Sequence, residues 1–229
     1  MTIKSHGEME NQMRKSVVAV VSILLVVGLL LSITGCLSRG GAVKLPGVEI
    51  RKYEGKDLSS INDFRENSIQ GPQYVDMETY RLRVTGLVQN PAEYSFYEVV
   101  DYYQSYKKVV TLNCVEGWSV TILWEGVLVK DLIAAARALP DAKIVIFHAY
   151  DGYTSSLPID YLVDNDILMA YKMNGLPLPP ERGAPFQLVA ESKWGYKWVK
   201  WITEIELSDD VGYEGYWESR GFSNSGDLD

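Results

Sequence analysis

Cysteine and histidine are both scarce in this chain. Its 229 residues include two cysteines, Cys36 and Cys114, and two histidines, His6 and His148. The sequence has no haem-attachment motif and leaves no room for a haem domain, so we expect no haem here. If Cys36 is modified as described below, Cys114 has no intramolecular partner, and an intramolecular disulfide is excluded.

Positive charge is also in short supply. The chain has 22 lysines and arginines against 30 aspartates and glutamates, a formal net charge of −8. Such a surface repels phosphate backbones, so we do not expect nucleic acid as a partner. The functional meaning of the basic residues therefore depends on where they cluster.

One long apolar run is present, close to the N-terminus. Residues 17–31 are apolar apart from a serine and a glycine, and they follow the basic pair Arg14 and Lys15, as is typical of a secretory signal. The tetrapeptide Ile-Thr-Gly-Cys that ends at Cys36 resembles a prokaryotic lipobox, which predicts a signal peptide over residues 1–35 and lipidation of Cys36. An uncleaved transmembrane anchor is the alternative. Both predict an extracytoplasmic protein anchored to the cell membrane.

The rest of the chain reads as a tether followed by one domain. Residues 36–47 are rich in glycine and predict a flexible tether. Residues 48–229 contain no internal repeat or low-complexity tract, and they are long enough to bury a substantial core. We predict a single domain over residues 48–229, with its core at residues 80–207.

Strand and turn patterns outnumber helical ones in this domain. Apolar or alternating runs predict strands at residues 81–88, 109–112, 144–147, 153–157, 168–173 and 186–190, and a long aromatic strand region at 196–207. A capping box of Ser95 and Glu98 predicts a helix that continues to Gln104, and residues 128–139 predict a second helix. Residues 124–127 predict a turn. The pattern favours an α+β fold with mixed or largely antiparallel sheets.

The globular region contains a single cysteine, Cys114, within the segment Leu-Asn-Cys-Val-Glu-Gly-Trp-Ser of residues 112–119. It follows an apolar strand and precedes a tight turn at Gly117. A thiolate binds soft transition metals, and a nearby glycine lets the backbone approach closely. This segment therefore suits a metal ligand at a strand end. The alternative is a buried cysteine that acts as a small hydrophobic residue.

Three further segments follow in order. Residues 151–158 combine a turn with a hydroxyl-rich strand, residues 182–189 begin with Arg182 on a glycine turn, and residues 193–201 set lysines among aromatic residues around Gly195. Together with residues 114–119, they resemble the molybdopterin-binding domain of the sulfite oxidase superfamily over roughly residues 80–207. The resemblance is strongest to short prokaryotic members similar to the periplasmic methionine-sulfoxide reductase catalytic subunit.

The resemblance implies a molybdopterin cofactor that carries molybdenum, with Cys114 as the metal ligand and catalytic residue, and the sequence does not distinguish molybdenum from tungsten. An acidic chain needs a local cationic pocket for the pterin phosphate, and the candidates are Arg182, Lys197 and Lys200. The remaining cofactor-binding candidates are Gly183, Gln187, Gly195, Tyr196, His148 and Asn67. The alternatives are that the cations are surface residues along aromatic strands, that His148 is a hydrogen-bonded core residue and that Asn67 lies in an exposed loop.

Two positions depart from the reductase pattern. Arg182 stands where those reductases have asparagine, and Gln187 stands where they have arginine. We interpret this as the displacement of one phosphate-binding charge from the second position to the first.

The substrate prediction rests on local charge. Residues 115–125 contain two glutamates and no basic residue, which favours a neutral S-oxide or N-oxide as the oxygen donor in a two-electron oxygen-atom transfer. Sulfite-type oxidation, or a ligand-binding or partner-binding lipoprotein of the same fold without catalysis, is the alternative. A membrane cytochrome or a quinone-linked protein is the expected electron carrier.

The aromatic C-terminal region raises a further hypothesis. Residues 215–222 could fold back over the cofactor mouth, with Arg220 supplying positive charge there, whereas residues 223–229 are predicted to be loose.

Overall fold

Two five-stranded sheets form the centre of the computed structural model, which describes residues 47–228. The predicted signal peptide, the lipobox at Cys36 and nearly all of the predicted tether lie outside the described residues. Within residues 47–228, no helix is both long and apolar enough to cross a bilayer.

The described part of the chain contains twelve strands and three α-helices. In chain order the strands are β1 Lys52–Tyr53, β2 Lys56–Asp57, β3 Leu82–Gly86, β4 Ala92–Tyr94, β5 Ser105–Asn113, β6 Ser119–Leu128, β7 Ile144–Ala149, β8 Thr154–Pro158, β9 Leu168–Met173, β10 Leu176–Pro177, β11 Gln187–Val189 and β12 Ile202–Ser208. The helices are α1 Phe96–Tyr102, α2 Val129–Ala136 and α3 Ile159–Asp164.

The two sheets differ in strand direction. The first has the order β10-β9-β6-β5, with β11 also paired to β9, and all of its pairings are antiparallel. The second has the order β4-β3-β12-β7-β8, in which β12 runs parallel to β3 and the other neighbours are antiparallel. This confirms the predicted α+β fold with mixed and antiparallel sheets.

Residues from both sheets bury their apolar faces in one hydrophobic cluster. Its fully buried members include Leu82, Val84, Val127, Phe147, Met169 and Ile205. Each such side chain contributes about 1.5–3 kcal/mol to folding through its removal from water. This cluster fixes the strand ends from which the candidate site is built.

The first helix begins at the predicted capping box. Ser95 Oγ accepts a hydrogen bond from the Glu98 backbone N–H at 3.3 Å, and the Glu98 carboxylate accepts one from the Ser95 N–H at 2.7 Å. This satisfies two of the N–H groups that a helix start leaves unpaired. The helix ends at Tyr102, two residues before the predicted end.

The predicted turn at residues 124–127 is wrong, because β6 runs straight through it. The register of β6 against β9 shifts between Glu125 and Gly126. A Cβ atom at Gly126 would collide with the backbone of Met169 on the neighbouring strand. Glycine is therefore needed here because β6 and β9 approach each other closely. In the sequence, a glycine required for close strand packing cannot be distinguished from a glycine that marks a turn.

The predicted strand region at residues 196–207 is correct only in its second half. Residues Gly195–Lys197 form a single 3₁₀ turn, and β12 starts at Ile202. A Cβ atom at Gly195 would lie 3.3 Å from the Asn113 carbonyl oxygen and 3.6 Å from the Cys114 Cα. The turn thus brings this segment against the strand end that carries the cysteine.

The C-terminal residues are ordered by contacts, in contrast to the predicted loose tail. The Trp194 N–H donates to the Gly226 carbonyl at 2.7 Å, and the Leu228 N–H donates to the Ser192 carbonyl at 3.1 Å. Asp227 also forms an ion pair with Lys193. The composition of residues 223–229 predicts a mobile tail, but backbone hydrogen bonds to residues 192 and 194 hold residues 226–228 in one conformation.

Candidate cofactor and active site

A cavity of about 330 Å³ opens beside the end of β5, within the size range of small-molecule sites. Six separate segments form its walls, so loops that follow different strands meet there. Its lining includes Phe64, Arg65, Asn67, Ser68, Cys114, Val115, Glu116, Trp118, Asp151, Glu181, Arg182, Gln187, Gly195, Tyr196, Lys200, Trp201, Trp217 and Phe222.

Cys114 lies in a tight turn immediately after β5. Its N–H donates to the Trp118 carbonyl at 2.9 Å, and its carbonyl accepts from the Gly117 N–H at 3.0 Å. Gly117 has a φ of +82°, a left-handed conformation that glycine adopts without steric cost. The turn holds the cysteine at the cavity wall, with 8% of its surface exposed.

Burial raises the pKa of the Cys114 thiol above its ordinary value. A hydrogen bond from the Glu116 backbone and the positive charge of Arg65 act in the opposite direction, whereas the Glu116 carboxylate adds to the increase. The protein groups therefore favour the neutral thiol on balance. A positively charged metal ion would reverse this preference, since a coordinating thiol is deprotonated by its metal.

Arg182 and Lys200 bring two positive charges to the cavity. The Arg182 guanidinium donates to the Phe64 carbonyl at 3.1 Å and lies 4.7 Å from the centre of the Phe64 ring. Lys200 Nζ lies 3.0 Å from the Glu66 carboxylate and 4.3 Å from the centre of the Trp201 ring. Burial lowers the pKa of both side chains, and arginine nevertheless stays charged.

Gly183 supports this cationic pair without lining the cavity. Its φ is +95°, and a Cβ atom there would approach the Lys200 Cβ to 3.0 Å and the Gln187 Cβ to 3.1 Å. The absence of a side chain at Gly183 therefore lets Lys200 and Gln187 pack against its backbone.

Lys197 lies elsewhere, although the sequence groups it with Lys200. Its ammonium group is fully buried and contacts the fully buried Glu218 carboxylate at 2.6 Å. Ser155 Oγ donates to the same carboxylate oxygen at 2.5 Å. Lys197 is absent from the cavity lining, and its charge is compensated by Glu218.

Two buried polar atoms of the cavity wall provide a test of fit for a polar ligand. Within residues 47–228, Ser68 Oγ and Gln187 Oε1 are buried and have no hydrogen-bond partner. A buried polar atom without a partner costs about 1–3 kcal/mol, so a bound group with hydrogen-bonding edges would be favoured there. A pterin has such edges. These atoms, the thiol and the two cations therefore fit a molybdopterin.

The other sequence candidates are divided by the fold. Asn67, Gly195 and Tyr196 line the cavity, and the Asn67 amide donates to the Glu116 carboxylate at 3.1 Å. His148 is outside the cavity lining, on β7, where its Nε2 lies 2.8 Å from the Glu206 carboxylate of β12. His148 is thus hydrogen-bonded, as the alternative predicts, but its side chain is 30% exposed and does not lie in the core.

Several cavity residues escaped sequence analysis. Arg65 comes from an irregular loop, and no sequence pattern predicts that it lines the cavity. Its positive charge nevertheless lowers the pKa of the Cys114 thiol. Asp151 is 4% exposed, and burial raises the pKa of its carboxyl. The Asp-Gly turn signal located Asp151 without indicating its role. In contrast, the hypothesis that residues 215–222 fold back holds for Trp217 and Phe222, which line the cavity. Arg220 instead lines an adjoining surface groove.

The fold and this cavity fit an oxidoreductase domain that binds an organic metal cofactor. Comparison with known families agrees: residues 69–217 match the family described as "Oxidoreductase molybdopterin binding domain". The chain belongs to this family, which is the sulfite oxidase family, and is a molybdopterin-binding oxidoreductase. A domain of this family implies a molybdenum cofactor.

Individual relatives agree with this assignment. The chain is 36% identical over 157 residues to the uncharacterized oxidoreductase YuiH of Bacillus subtilis, covering 68% of this chain and 78% of YuiH. It is 28% identical over 177 residues to the protein-methionine-sulfoxide reductase catalytic subunit MsrP of Xanthomonas campestris, covering 68% of this chain and 55% of MsrP. It is 28% identical over 167 residues to a nitrate reductase (NADPH) of Fusarium oxysporum, covering 62% of this chain and 18% of that enzyme.

A solved structure shares the fold. The sulfane dehydrogenase SoxCD of Paracoccus pantotrophus superposes with a TM-score of 0.59 at 23% identity, over 63% of this chain and 42% of that chain.

Proposed function

We propose that this molybdopterin oxidoreductase reduces a neutral S-oxide or N-oxide by two-electron oxygen-atom transfer, with Cys114 as the protein ligand of the metal. For a sulfoxide, two electrons and two protons convert the substrate to a sulfide and one water molecule. The bound cofactor would supply the redox-active metal that accepts the oxygen atom. The observation that carries the proposal is the position of the Cys114 thiol at the wall of a cavity that also exposes the unpaired polar atoms of Ser68 and Gln187 to a ligand.

The chain's own residues would bind and orient the reactants. Arg182 and Lys200 supply positive charge for the pterin phosphate, although both already contact protein groups that the phosphate would join or displace. Gln187 and Ser68 offer unpaired polar atoms to the pterin edges. The turn at Gly117 holds Cys114 in place, and the aromatic walls exclude water from the reacting atoms.

Charge around the thiol supports a neutral substrate. The basic residues of the cavity lining are Arg65, Arg182 and Lys200, and the acidic ones are Glu116, Asp151 and Glu181. Because the two sets are equal in number and the cofactor adds a phosphate, little net positive charge remains for a doubly charged anion.

One observation favours an alternative, sulfite-type chemistry on an anion. Arg65 acts electrostatically on Cys114, and a cation at that position would attract an oxyanion. The matched relatives include enzymes named for nitrate and for protein methionine sulfoxide, so both substrate classes need to be tested.

The cellular setting is part of the proposal. We propose a lipid-anchored, extracytoplasmic enzyme, because the N-terminal sequence resembles a secretory signal with a lipobox at Cys36. A membrane cytochrome or quinone-linked protein would deliver the electrons. Attachment to the same membrane would raise the effective concentration of the two partners.

The test combines metal analysis with turnover. Native protein should contain about one molybdenum per chain and should reduce dimethyl sulfoxide with a reduced viologen dye, while oxidising sulfite poorly. Cys114→Ser should lower turnover by at least ~100-fold, because it removes the thiolate ligand. Ser119→Ala, an exposed change five residues away, is the control. Full turnover by metal-loaded Cys114→Ser would contradict the proposal, and preferred turnover of sulfite would favour the alternative.

A further inference from the structure

The C-terminal segment forms a wall of the cavity that lies largely beyond the family match, which ends at residue 217. The segment runs along the edge of β8. The Tyr216 N–H donates to the Thr154 carbonyl at 2.9 Å, and a Cβ atom at Gly215 would collide with that same carbonyl. Glycine is thus required at residue 215 for the segment to lie this close.

A buried ion pair fixes the middle of the segment. Glu218 and Lys197 are both fully buried, and the Glu218 carboxylate accepts hydrogen bonds from Lys197 at 2.6 Å and Ser155 at 2.5 Å. Removing one partner of such a pair leaves a buried charge without compensation, which is strongly unfavourable. Glu218 therefore holds its neighbour Trp217 in one place.

The end of the segment is attached a second time. Gly226 and Leu228 form backbone hydrogen bonds with Trp194 and Ser192. A Cβ atom at Gly226 would collide with the Lys197 side chain, so the segment passes directly over that lysine. Residues 215–222, which we call the C-terminal arch, are therefore held from both sides.

The arch presents two aromatic side chains to the cavity. Trp217 and Phe222 both line it, and their ring centres are 5.3 Å apart. Phe222 also lies 5.2 Å from the ring centre of Tyr196. These spacings are typical of favourable aromatic packing, so the three rings form one apolar surface.

The aromatic surface lies where the cavity meets the protein surface. Val115, Tyr196 and Phe222 line both the cavity and the adjoining open groove. Val115 is 47% exposed and Phe222 is 36% exposed, so both side chains present apolar surface to the groove as well as to the cavity. A substrate that travels from the groove towards Cys114 passes these residues.

We propose that the C-terminal arch is a substrate-specificity element of this enzyme, in which Trp217 and Phe222 select a neutral oxide that carries an aromatic or bulky apolar substituent. The inference rests on the proposed oxide reduction for its choice of substrate. The oxidised sulfur or nitrogen would face the metal, and the apolar substituent would pack on the arch. Arg220 does not take part, since its guanidinium stacks on the Tyr216 ring, 3.6 Å from its centre.

The first experiment compares two substrates. Trp217→Ala and Phe222→Ala should each lower the kcat/KM ratio of methyl phenyl sulfoxide to dimethyl sulfoxide by about tenfold, mainly through KM, because aromatic contacts are lost. Trp217→Phe should keep the ratio within about threefold of wild type, since a ring remains. Tyr102→Ala removes a ring that is 69% exposed on α1 and should leave the ratio unchanged.

Two results would overturn the inference. One is an unchanged ratio in both arch variants. The other is an equal fall in kcat for both substrates, which would indicate general damage to the site. Thermal unfolding identifies a variant that does not fold. Phe222→Ala, at a partly exposed position, then decides the question if Trp217→Ala fails to fold.

The second experiment separates this inference from the proposed function. Methyl phenyl sulfone and dimethyl sulfone serve as unreactive analogues, and calorimetry gives their dissociation constants for the purified enzyme. If the wild type reduces no oxide but binds the phenyl sulfone about tenfold more tightly than Trp217→Ala does, the arch inference is supported and the reductase proposal fails. If oxides are reduced but the arch variants bind both sulfones as the wild type does, the reductase proposal is supported and the arch inference fails.

Discussion

The cavity has two walls from opposite ends of the described chain, and they are attached in different ways. The N-terminal wall, residues 61–70, depends on partly exposed contacts such as Lys200 with Glu66, whose side chains are 17% and 32% exposed. The C-terminal wall depends on Lys197 and Glu218, which are both fully buried. A buried pair tolerates little displacement of either partner, whereas a partly solvated pair can be replaced by water or by a ligand. The C-terminal wall is therefore the more rigid of the two.

The strongest test of this comparison breaks the buried pair. Lys197→Met should lower the free energy of unfolding by about 3–5 kcal/mol, because Glu218 remains buried without its partner. The double variant Lys197→Met/Glu218→Leu should recover most of this loss, since no buried charge remains. Urea denaturation at neutral pH measures both. Equal losses in the single and double variants would show that the charge pair does not set the stability of this wall.

A smaller effect is expected at Arg182 and Lys200, the cations that contact the N-terminal wall. Arg182→Ala removes the hydrogen bond to Phe64 and a charge at the cavity, so molybdenum binding should weaken by about tenfold, a usual size for a residue that supports a metal site. The metal-to-protein ratio after dialysis measures this. Arg83→Ala is the control, because Arg83 pairs with Glu204 on the sheet and is absent from the cavity lining. Retention of the full metal content by Arg182→Ala would refute a role of Arg182 in cofactor binding.

The smallest effect concerns Glu49, which supports the base of the N-terminal wall. Partial burial raises the pKa of Glu49, but hydrogen bonds from Asn174, Ile61 and Ser60 together outweigh it, and the net pKa is lowered. A lowered folded pKa means that the carboxylate stabilises the fold above the unfolded pKa, and this contribution is lost as the pH falls through the folded pKa.

Glu49→Gln should therefore cost about 1 kcal/mol at neutral pH and progressively less at a second, acidic pH, because the wild-type carboxyl becomes protonated as the pH falls through its lowered folded pKa. Denaturation curves at the two pH values test this. If the loss of unfolding free energy is the same at both pH values, the effect of the substitution comes from packing and not from the charge of Glu49.

The central part of the site can be predicted from the sequence because its signals are local. Cys114 follows an apolar strand and precedes a glycine turn, and Arg182 and Lys200 stand beside glycines or aromatic residues on later segments. Strand ends from one core meet at a common edge, so these segments converge in the cavity. The family and the α+β fold followed from the same pattern.

The remaining features depend on contacts that no local pattern encodes. Lys197 and Lys200 look equivalent in the sequence, but a single 3₁₀ turn directs one to Glu218 and leaves the other at the cavity. Arg65 approaches Cys114 only because an irregular loop crosses from the other end of the domain. Gly126 indicated a turn in the sequence, and a neighbouring strand uses it for close packing instead.

The placement of the two walls affects how this enzyme can be recombined with its relatives. The family match covers residues 69–217, whereas Phe64, Arg65, Asn67, Ser68 and Phe222 all line the cavity from outside that interval. A chimera whose junctions follow the family boundaries would transfer Cys114 but would lose the cavity-lining residues on both sides of that interval. Chimeras intended to exchange substrate preference should therefore carry residues 61–68 and 218–228 along with the central module.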